Sequence, residues 1–274
     1  MALGALAGPG EKVTRIVGIV LTRNEEFFIE RAVRNATGFC DEWILCDNGS
    51  TDATPQILER LAGELPSAQL HRISHPKESH DLIRPLAGQD VWVFGLDGDE
   101  IYDPAGLGRM RERLLAGEFV SSWMLLGNVL HVTKLSDDRS TATGHLTPPC
   151  RSMTKLYNFS AIESWDGYST ERLHGGKPVF REGFTEMSRR FLHDEVSWEE
   201  ADFRCLHLCF QARSSRDSTP TARRNIMETY GATRREGWMN RLKGFFQNKG
   251  ESQWKSERYR RGPAVTVDAQ EFFD

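Results

Sequence analysis

The stretch Val91-Trp92-Val93-Phe94-Gly95-Leu96-Asp97-Gly98-Asp99-Glu100 decides the fold of this chain. Its apolar half is typical of a buried parallel strand, and it ends abruptly in three carboxylates within four positions. Open α/β sheets bind ligands just beyond the carboxyl ends of their strands, so these acids are expected at the floor of a crevice. Clustered carboxylates repel one another unless a cation neutralises them, and oxygen ligands suit Mg²⁺ or Mn²⁺. The stretch therefore predicts a divalent metal holding a diphosphate; a solvated acidic turn is the alternative.

The residues around this stretch alternate between strand and helix patterns. Strands are predicted at 15–21, 43–46, 69–73 and 91–96, and helices at 25–36, from Thr54 onward and at 104–116. This order predicts a mostly parallel, Rossmann-like α/β sheet with helices on both faces. Residues 119–132 are expected to form a long strand or a hairpin, and the polar residues 135–149 a mobile loop beside the crevice.

The composition is that of an ordinary globular protein, with 39% hydrophobic and 27% charged residues over 274 positions. No run approaches the ~18 to 20 apolar residues of a membrane span. Residues 1–14 are predicted to be a flexible leader without signal-peptide features, so the chain is expected in the cytoplasm. Five cysteines without C-x-x-C spacing argue against a zinc site and a disulfide framework.

The net charge of −4 is unevenly distributed. Residues 213–261 carry thirteen Lys/Arg against five Asp/Glu. We therefore predict a basic, helical C-terminal extension, residues 213–274, behind an α/β domain of residues 15–212. Such a tail indicates a polyanionic partner, either a nucleic acid, an anionic glycan or a membrane surface contacted peripherally. A solvated amphipathic helix is the alternative interpretation.

Short polar side chains also follow the first two predicted strands. Thr22, Asn24 and Glu25 come after the first strand, and Asp47 and Asn48 after the second. These strand ends converge with the acidic turn, so a nucleotide could lie across them. A carboxylate such as Asp47 could accept hydrogen bonds from a base N–H group, and charge assistance would strengthen that contact.

Three motifs, in order, resemble those of family-2 glycosyltransferases of the GT-A fold. They are Thr22-Arg23-Asn24-Glu25-Glu26, Asp47-Asn48-Gly49-Ser50-Thr51-Asp52-Ala53-Thr54 and Leu96-Asp97-Gly98-Asp99-Glu100, and the resemblance covers about residues 15–105. It implies a nucleoside-diphosphate sugar donor, with Asp47 at the base. It also implies that the D-x-D pair, Asp97 and Asp99, binds Mn²⁺ or Mg²⁺ and that Asp97 contacts the donor.

The same resemblance gives Arg84 the place of a donor-binding arginine, although the asparagine that usually follows is Pro85 here. In the second half, Lys155-Leu156-Tyr157 and Trp165-Asp166-Gly167-Tyr168-Ser169-Thr170-Glu171-Arg172-Leu173 resemble a subgroup segment in which a histidine precedes the glutamate. That histidine is Thr170 here.

An inverting transferase needs a carboxylate that takes the proton of the acceptor hydroxyl. Glu171 is the first candidate for that base, and the alternatives are Glu163, Asp166, Asp194 and Glu195. His207 lies in the apolar run Cys205–Phe210 and matches, in order, a late histidine that many GT-A enzymes place on the metal. Its second ring nitrogen would then need a partner. A core histidine is the alternative.

The leading hypothesis is a metal-dependent, inverting glycosyltransferase that moves a sugar to a hydroxyl acceptor. Residues 15–105 would bind the nucleotide sugar, residues 106–212 would form the acceptor half, and the loop 135–149 would close over the donor. The basic tail predicts an anionic acceptor: a glycan, a lipid-linked group or a nucleic acid.

Two other functions remain open. A sugar-1-phosphate nucleotidyltransferase would want a glycine-rich basic loop after the first strand, where Thr22–Glu26 is acidic and lacks glycine. The second is a catalytically idle module that binds nucleotide sugars or polyanions.

Overall fold

A computed structural model of the chain describes residues 15–217 and 253–274. The predicted leader and most of the predicted basic helical run lie outside these described residues. The described helices are α1 (Ile29–Asn35), α2 (Thr54–Glu64), α3 (Glu78–Ile83), α4 (Pro104–Ala116), α5 (Gln253–Tyr259) and α6 (Gln270–Phe273). None of the helices in these ranges is both long and apolar enough to cross a membrane.

The first sheet has seven strands in the order β12-β6-β9-β4-β1-β2-β3. Their bounds are β1 (Arg15–Thr22), β2 (Glu42–Asp47), β3 (Ala68–Arg72), β4 (Val91–Asp97), β6 (Met124–Leu126), β9 (Lys155–Asn158) and β12 (Arg189–Phe191). The four strands β1 to β4 are parallel, and β9 runs antiparallel to β4 and β6. Strands β1 and β4 are almost wholly buried, as their β-branched and aromatic runs predict. The predicted α/β fold with a mostly parallel central sheet is confirmed.

A second sheet begins at the acidic turn. Its five strands run in the order β14-β8-β7-β13-β5. They are β5 (Glu100–Tyr102), β7 (Asn128–Leu135), β8 (Thr141–Leu146), β13 (Arg204–His207) and β14 (Ala264–Asp268), while β10 (Ile162–Glu171) and β11 (His174–Phe180) form a separate pair. Because β4 ends at Asp97 and β5 begins at Glu100, the chain changes sheets within the carboxylate cluster. The candidate site therefore lies at the junction of the two sheets.

Aromatic side chains fill the core beneath this junction. The Phe94 ring contacts Phe39 and Tyr102 edge-on, with centroids 5.2 and 5.0 Å apart, and Tyr102 stacks on Phe203 at 5.4 Å. All four side chains are buried. Since aromatic pairs add about 0.5–1.5 kcal/mol each beyond their burial, this cluster holds the end of β4 and the start of β5 rigidly.

Two sequence predictions for the middle of the chain are wrong. Residues 119–132 form neither one long strand nor a hairpin, because β6 and β7 belong to different sheets. Gly127 lies between them, where a Cβ atom would come within 2.2 Å of the Phe203 carbonyl oxygen. Residues 135–149 are not a mobile loop, since Thr141–Leu146 pairs with β7 on one side and β14 on the other. The prediction that this segment closes over the crevice is therefore also wrong, because its backbone groups form hydrogen bonds with β7 and β14.

The end of the chain is built into the domain. Strand β14 completes the second sheet, and Phe272 of α6 is buried against Trp198 with ring centroids 6.0 Å apart. The described part of the predicted helical extension is therefore not helical throughout, since Ala264–Asp268 is a strand. Cross-strand pairing decides this conformation, and a local charge pattern does not reveal it.

Candidate active site

The loops that follow β1 and β2 are tied together by short polar groups. The Asn24 amide N–H donates to Ser50 Oγ at 2.9 Å, and the Thr51 N–H donates to Asn24 Oδ1 at 2.7 Å. The Glu25 N–H donates to the hydroxyl of Thr54 at 2.8 Å. These bonds hold Asn24 in the left-handed region at φ +55°. Asn24, predicted to contact the donor, therefore holds the two loops in register.

Thr22, Asp47 and Asn48 meet at the carboxyl edge of the sheet, as predicted. Asp47 is Thr22's neighbour across the β1–β2 pair, and the Asn48 N–H donates to the Thr22 carbonyl at 2.9 Å. Asp47 Oδ1 accepts from the Ser50 N–H at 3.1 Å, while the Asn48 side chain donates to the Ile73 carbonyl at 3.2 Å. All three side chains are buried, so the edge presents a preformed polar surface.

Arg84 is exposed at the C-terminal end of α3. No contact within residues 15–217 and 253–274 joins it to the carboxylates of the crevice. Its role in donor binding stays a prediction.

Glu25 lies against the acidic turn because Gly98 has no side chain. A Cβ atom on Gly98 would come within 2.8 Å of the Glu25 Cβ and Cγ atoms. The carboxylate of Glu25 lies 3.3 Å from Nη1 of Arg213, which also donates to Asp99. One guanidinium thus joins the loop after β1 to the D-x-D turn.

Three buried cations surround the acidic turn. Lys155 Nζ donates to Asp97 at 2.7 Å and to Glu100 at 2.9 Å. Arg172 donates to Asp97 on its other side, and Arg213 donates to Asp99. Gly95 makes room for the lysine, since a Cβ atom there would lie 3.0 Å from the Lys155 side chain.

These pairs set the charges of the turn. Burial raises the pKa of Glu100 to about 8, helped by Asp97 and against the attraction of Lys155. Burial also opposes ionisation of Asp97, but Arg172 and Lys155 outweigh it and hold the pKa of Asp97 well below its usual range. The crevice thus contains the carboxylates of Glu25, Asp97, Asp99, Glu100 and Glu171 against the cations Lys155, Arg172 and Arg213.

Arg172 connects the acidic turn to Glu171. Its guanidinium donates to the Leu96 carbonyl at 2.9 Å, to Asp97, and to Glu171 at 3.2 Å. Its backbone lies at φ +24°, a region that non-glycine residues rarely adopt. Ser79 and His80 of α3 hold it there: the Arg172 N–H donates to Ser79 Oγ at 2.9 Å, and His80 Nδ1 lies 2.7 Å from the Arg172 carbonyl oxygen. Such strain persists only where the surroundings over-determine it.

Glu171, the predicted base, is mostly buried at the end of β10. It also contacts His174 Nδ1 at 3.1 Å. Burial would raise the pKa of Glu171, but Arg172 and His174 outweigh it and lower this pKa to about 2. The carboxylate is therefore ionised at neutral pH. The alternatives Glu163, Asp166, Asp194 and Glu195 are exposed, and among the described contacts only Glu171 is joined to the acidic turn through Arg172.

His207 lies beside the acidic turn, and its role as a metal ligand stays a prediction. Its Nε2 is 3.8 Å from Asp99 Oδ2, and its Nδ1 is 2.8 Å from Nδ1 of His131. Burial lowers the pKa of His207 to about 4, and burial together with His207 lowers the pKa of His131. Both rings are therefore neutral near pH 7. The ligand atoms of His131, His207 and Cys209 lie within 4.8 Å of one another.

Four residues of the site were not assigned a role from the sequence: His131, Lys155, Arg172 and Arg213. Lys155 and Arg172 appeared only as neighbours within motifs, and Arg213 only as one charge of the tail. The sequence offers a signal for His131, a titratable residue inside the apolar run Val129–Val132. Lys155 begins its strand and carries no such signal. Arg213 carried no such signal.

Comparisons with known proteins give one family match and several similar structures. Residues 19–134 match the family model "Glycosyl transferase family 2". Among solved structures, the chain is similar to S. aureus TarS, with 17% identity, 56% of this chain and 30% of that chain covered, and a TM-score of 0.40. TarS 1-349 in complex with UDP gives 17% identity, coverages of 56% and 50%, and a TM-score of 0.37.

A third structure is 4-diphosphocytidyl-2C-methyl-D-erythritol synthase from Anaerococcus prevotii DSM 20548. It gives 14% identity, covers 53% of this chain and 70% of that one, and has a TM-score of 0.32. The chain thus spans half or less of the length of the two TarS chains it matches. No curated protein matches the chain.

Proposed function

We propose that the chain transfers a sugar from a nucleoside diphosphate to a hydroxyl acceptor, as a family-2-like glycosyltransferase of the GT-A fold; the match of residues 19–134 to the family-2 model supports this proposal. The observation that carries this proposal is the convergence of three strand ends on one crevice. The ends of β1 and β2 supply a buried polar edge, and the end of β4 supplies the D-x-D carboxylates. Ligands of open α/β sheets bind at this edge.

The donor nucleotide would lie along the edge formed by Thr22, Asp47 and Asn48. Only Oδ1 of Asp47 accepts the turn hydrogen bond from Ser50, so its second oxygen is oriented by that bond. A carboxylate held in this way suits a base N–H donor. Asn24 and Glu25 shape the neighbouring loop, and Asp97 contacts the donor from the sheet junction.

The residues at the junction fit a divalent metal. Asp97 and Asp99 offer carboxylate oxygens, and His207 offers a neutral ring nitrogen. This donor set suits Mn²⁺ or Mg²⁺. When bound, such an ion would neutralise the diphosphate leaving group as a Lewis acid. It would share Asp99 with Arg213.

Glu171 is the proposed base for the acceptor hydroxyl. Transfer with inversion is proposed from the family resemblance. Arg172 keeps Glu171 ionised and fixes its position relative to Asp97. A carboxylate with a pKa of about 2 is a weak base, so positioning would contribute more than basicity.

The acceptor is proposed to be anionic. Arg258, Arg260 and Arg261 are exposed on and just after α5. The Arg258 carbonyl accepts from the Arg151 N–H at 3.3 Å, and the Arg151 carbonyl contacts His131 at 3.0 Å. The basic segment therefore lies next to His131, which contacts His207 of the proposed metal site. A cytoplasmic location stays a prediction.

A donor panel tests the proposal. Thermal unfolding with each nucleoside-diphosphate sugar, with and without Mn²⁺, should show stabilisation that needs both, about 2.7 kcal/mol at a hundred times the Kd. The Asp97→Asn variant is the control and should lose the metal-dependent part.

Donor hydrolysis in the same samples separates the alternatives. Slow hydrolysis supports a transferase, whereas binding without hydrolysis or transfer would indicate an idle module. Release of pyrophosphate from a nucleoside triphosphate and a sugar 1-phosphate would indicate a nucleotidyltransferase.

A further inference from the structure

We propose that His131 is a positioning residue, which holds His207 in the tautomer whose Nε2 lone pair faces Asp99. This proposal rests on the proposed metal site of Asp97, Asp99 and His207. It assigns to His131, which binds neither donor nor metal, control over whether His207 can act as a ligand.

The second sheet places these groups in one row. His207 of β13 is the register partner of Glu100 in β5 on one side and of His131 in β7 on the other. Register partners on adjacent strands project from the same face of a sheet. His131 is fully buried, and its ring lies between the backbone of Arg151 and the His207 ring.

The hydrogen bonds determine which ring nitrogen carries the proton, first in His131 and then in His207. Nε2 of His131 lies 3.0 Å from the Arg151 carbonyl oxygen, which can only accept, so this nitrogen carries the proton. Nδ1 of a neutral His131 is then an acceptor. Since it lies 2.8 Å from Nδ1 of His207, the latter must donate. His207 Nε2 is left with a lone pair.

That lone pair faces a carboxylate. His207 Nε2 is 3.8 Å from Asp99 Oδ2, beyond hydrogen-bond range, so no proton is shared between the two atoms. Arg213 already donates to Asp99 Oδ2 and offsets its charge, so this pair does not require a metal. The lone pair and the carboxylate are nevertheless two groups that a metal ion would bind together, and metal-binding histidines commonly donate through their other nitrogen to a fixed partner.

The C-terminal segment holds the His131 ring in place. Tyr259 of α5 stacks on it with centroids 4.3 Å apart and an interplanar angle of 18°, and meets His207 edge-on at 5.2 Å. The ring of His131 is thus fixed by stacking and its protons by hydrogen bonding. These two roles can be separated by substitution.

An alternative arrangement would place a metal between His131, His207 and Cys209. Two imidazoles on one tetrahedral ion with metal–nitrogen bonds of ~2.0–2.1 Å would hold their nitrogens about 3.3 Å apart. The observed 2.8 Å separation is that of a hydrogen bond. The shared-proton arrangement is therefore favoured.

Two substitutions of His131 test the proposal in opposite directions. His131→Phe keeps a ring for Tyr259 but removes the acceptor for His207. His131→Asn loses the ring but keeps an oxygen where Nδ1 stands. Mn²⁺ binding to the full chain, measured by electron paramagnetic resonance, should weaken about 10- to 100-fold in His131→Phe and by no more than about threefold in His131→Asn. A role in packing alone predicts the reverse order, which would overturn the proposal.

Three further variants separate this proposal from the metal site itself. Asp99→Asn and His207→Ala should both weaken Mn²⁺ binding, and Cys209→Ser should leave it unchanged. If neither of the first two has an effect, the metal site is wrong and the proposal with it. If both weaken binding and His131→Phe does not, only the role of His131 is wrong. A loss of binding in Cys209→Ser would support the alternative site and also overturn the proposal.

A measurement on the unmodified protein covers the case in which His131→Phe does not fold. With ¹⁵N-labelled histidine, two-bond proton–nitrogen spectra at pH 7.5 distinguish the two neutral tautomers. His207 should carry its proton on Nδ1 and His131 on Nε2. A proton on Nε2 of His207 would overturn the proposal.

Discussion

The crevice has an acidic side and a basic side, and the two are assembled differently. Asp97, Asp99 and Glu100 come from one turn between β4 and β5, whereas Lys155, Arg172 and Arg213 come from three segments that are remote in the chain. Of the acids, Asp97 and Asp99 are the groups that would meet metal and donor. The cations hold these acids in position, and Arg172 and Lys155 keep Asp97 ionised. Removing a member of either side leaves a buried charge poorly compensated, which typically costs about 3–5 kcal/mol, so stability alone cannot tell the two sides apart.

Asp99→Asn tests the acidic side and carries the largest expected effect. The amide is a poor metal ligand, so turnover should fall about 10⁴-fold if the metal supplies several kcal/mol of charge stabilisation. Initial rates over a Mn²⁺ series measure this fall. Asp103→Asn is the matched control, because Asp103 is equally buried and pairs with Arg204 at 3.0 Å outside the crevice. Both variants should lower the Tm, but only Asp99→Asn should lose turnover. Undiminished Mn²⁺-dependent turnover in Asp99→Asn would show that Asp99 is not a metal ligand.

Glu171→Gln separates proton transfer from binding on the same side. We expect kcat to fall about 10² to 10⁴-fold with donor affinity nearly unchanged, the behaviour of a lost general base. Steady-state kinetics and donor titration give the two quantities. The exposed Glu163 supplies the control, Glu163→Gln, which should behave as the unmodified chain does. If the effects of the two substitutions are exchanged, Glu163 is the base.

Arg172→Gln tests the basic side. Without the guanidinium, the pKa of Glu171 should rise from about 2. A general base loses activity as the pH falls through its pKa, so the acidic limb of the kcat/KM profile should move to higher pH. We expect kcat near pH 7 to fall about 10²-fold, because Glu171 is also less well positioned.

Two comparison variants sharpen that test. Arg204→Gln removes another buried arginine and should lower the Tm without moving the acidic limb. Arg172→Lys keeps the charge but loses the forked guanidinium that reaches Asp97 and Glu171 together. Its kcat and its acidic limb should therefore lie between those of Arg172→Gln and those of the unmodified chain. An unchanged acidic limb in Arg172→Gln would mean that this cation stabilises the fold alone.

The sequence predicted what is local and missed what meets only in the folded chain. Contiguous residues predict the central strands, α2, α4 and the acidic turn, because each is marked by an apolar pattern or by adjacent carboxylates. The roles of Arg172 and Arg213 are not predicted in this way, since the partner of each lies on another element. The polar side chains of Thr141–Leu146 predict a loop, whereas the segment is a strand stabilised by pairing with β7 and β14. The charge pattern likewise predicts a helical tail that includes Ala264–Asp268, which is a strand.

The smallest expected effect concerns cations that lie outside the crevice. Arg258, Arg260 and Arg261 are exposed, so salt should screen their attraction for an anionic acceptor far more than it screens the buried pairs. Transfer should therefore weaken from low to moderate salt, while donor hydrolysis, which needs only the crevice, changes little. Replacing the three arginines with serine should raise the acceptor KM about fivefold at low salt and flatten the salt dependence.

The control for that substitution is a pair of exposed arginines on α1 and α2, Arg34 and Arg60, whose partners are Glu30 and Glu64. Their replacement with serine removes exposed positive charge elsewhere on the surface and should leave the acceptor KM and its salt response unchanged. If both serine variants change the acceptor KM and its salt dependence equally, the net charge of the protein, and not the position of these arginines, acts on the acceptor. If salt affects transfer and hydrolysis equally in the unmodified chain, the basic segment is only a solvated surface. That result would contradict the proposal of an anionic acceptor.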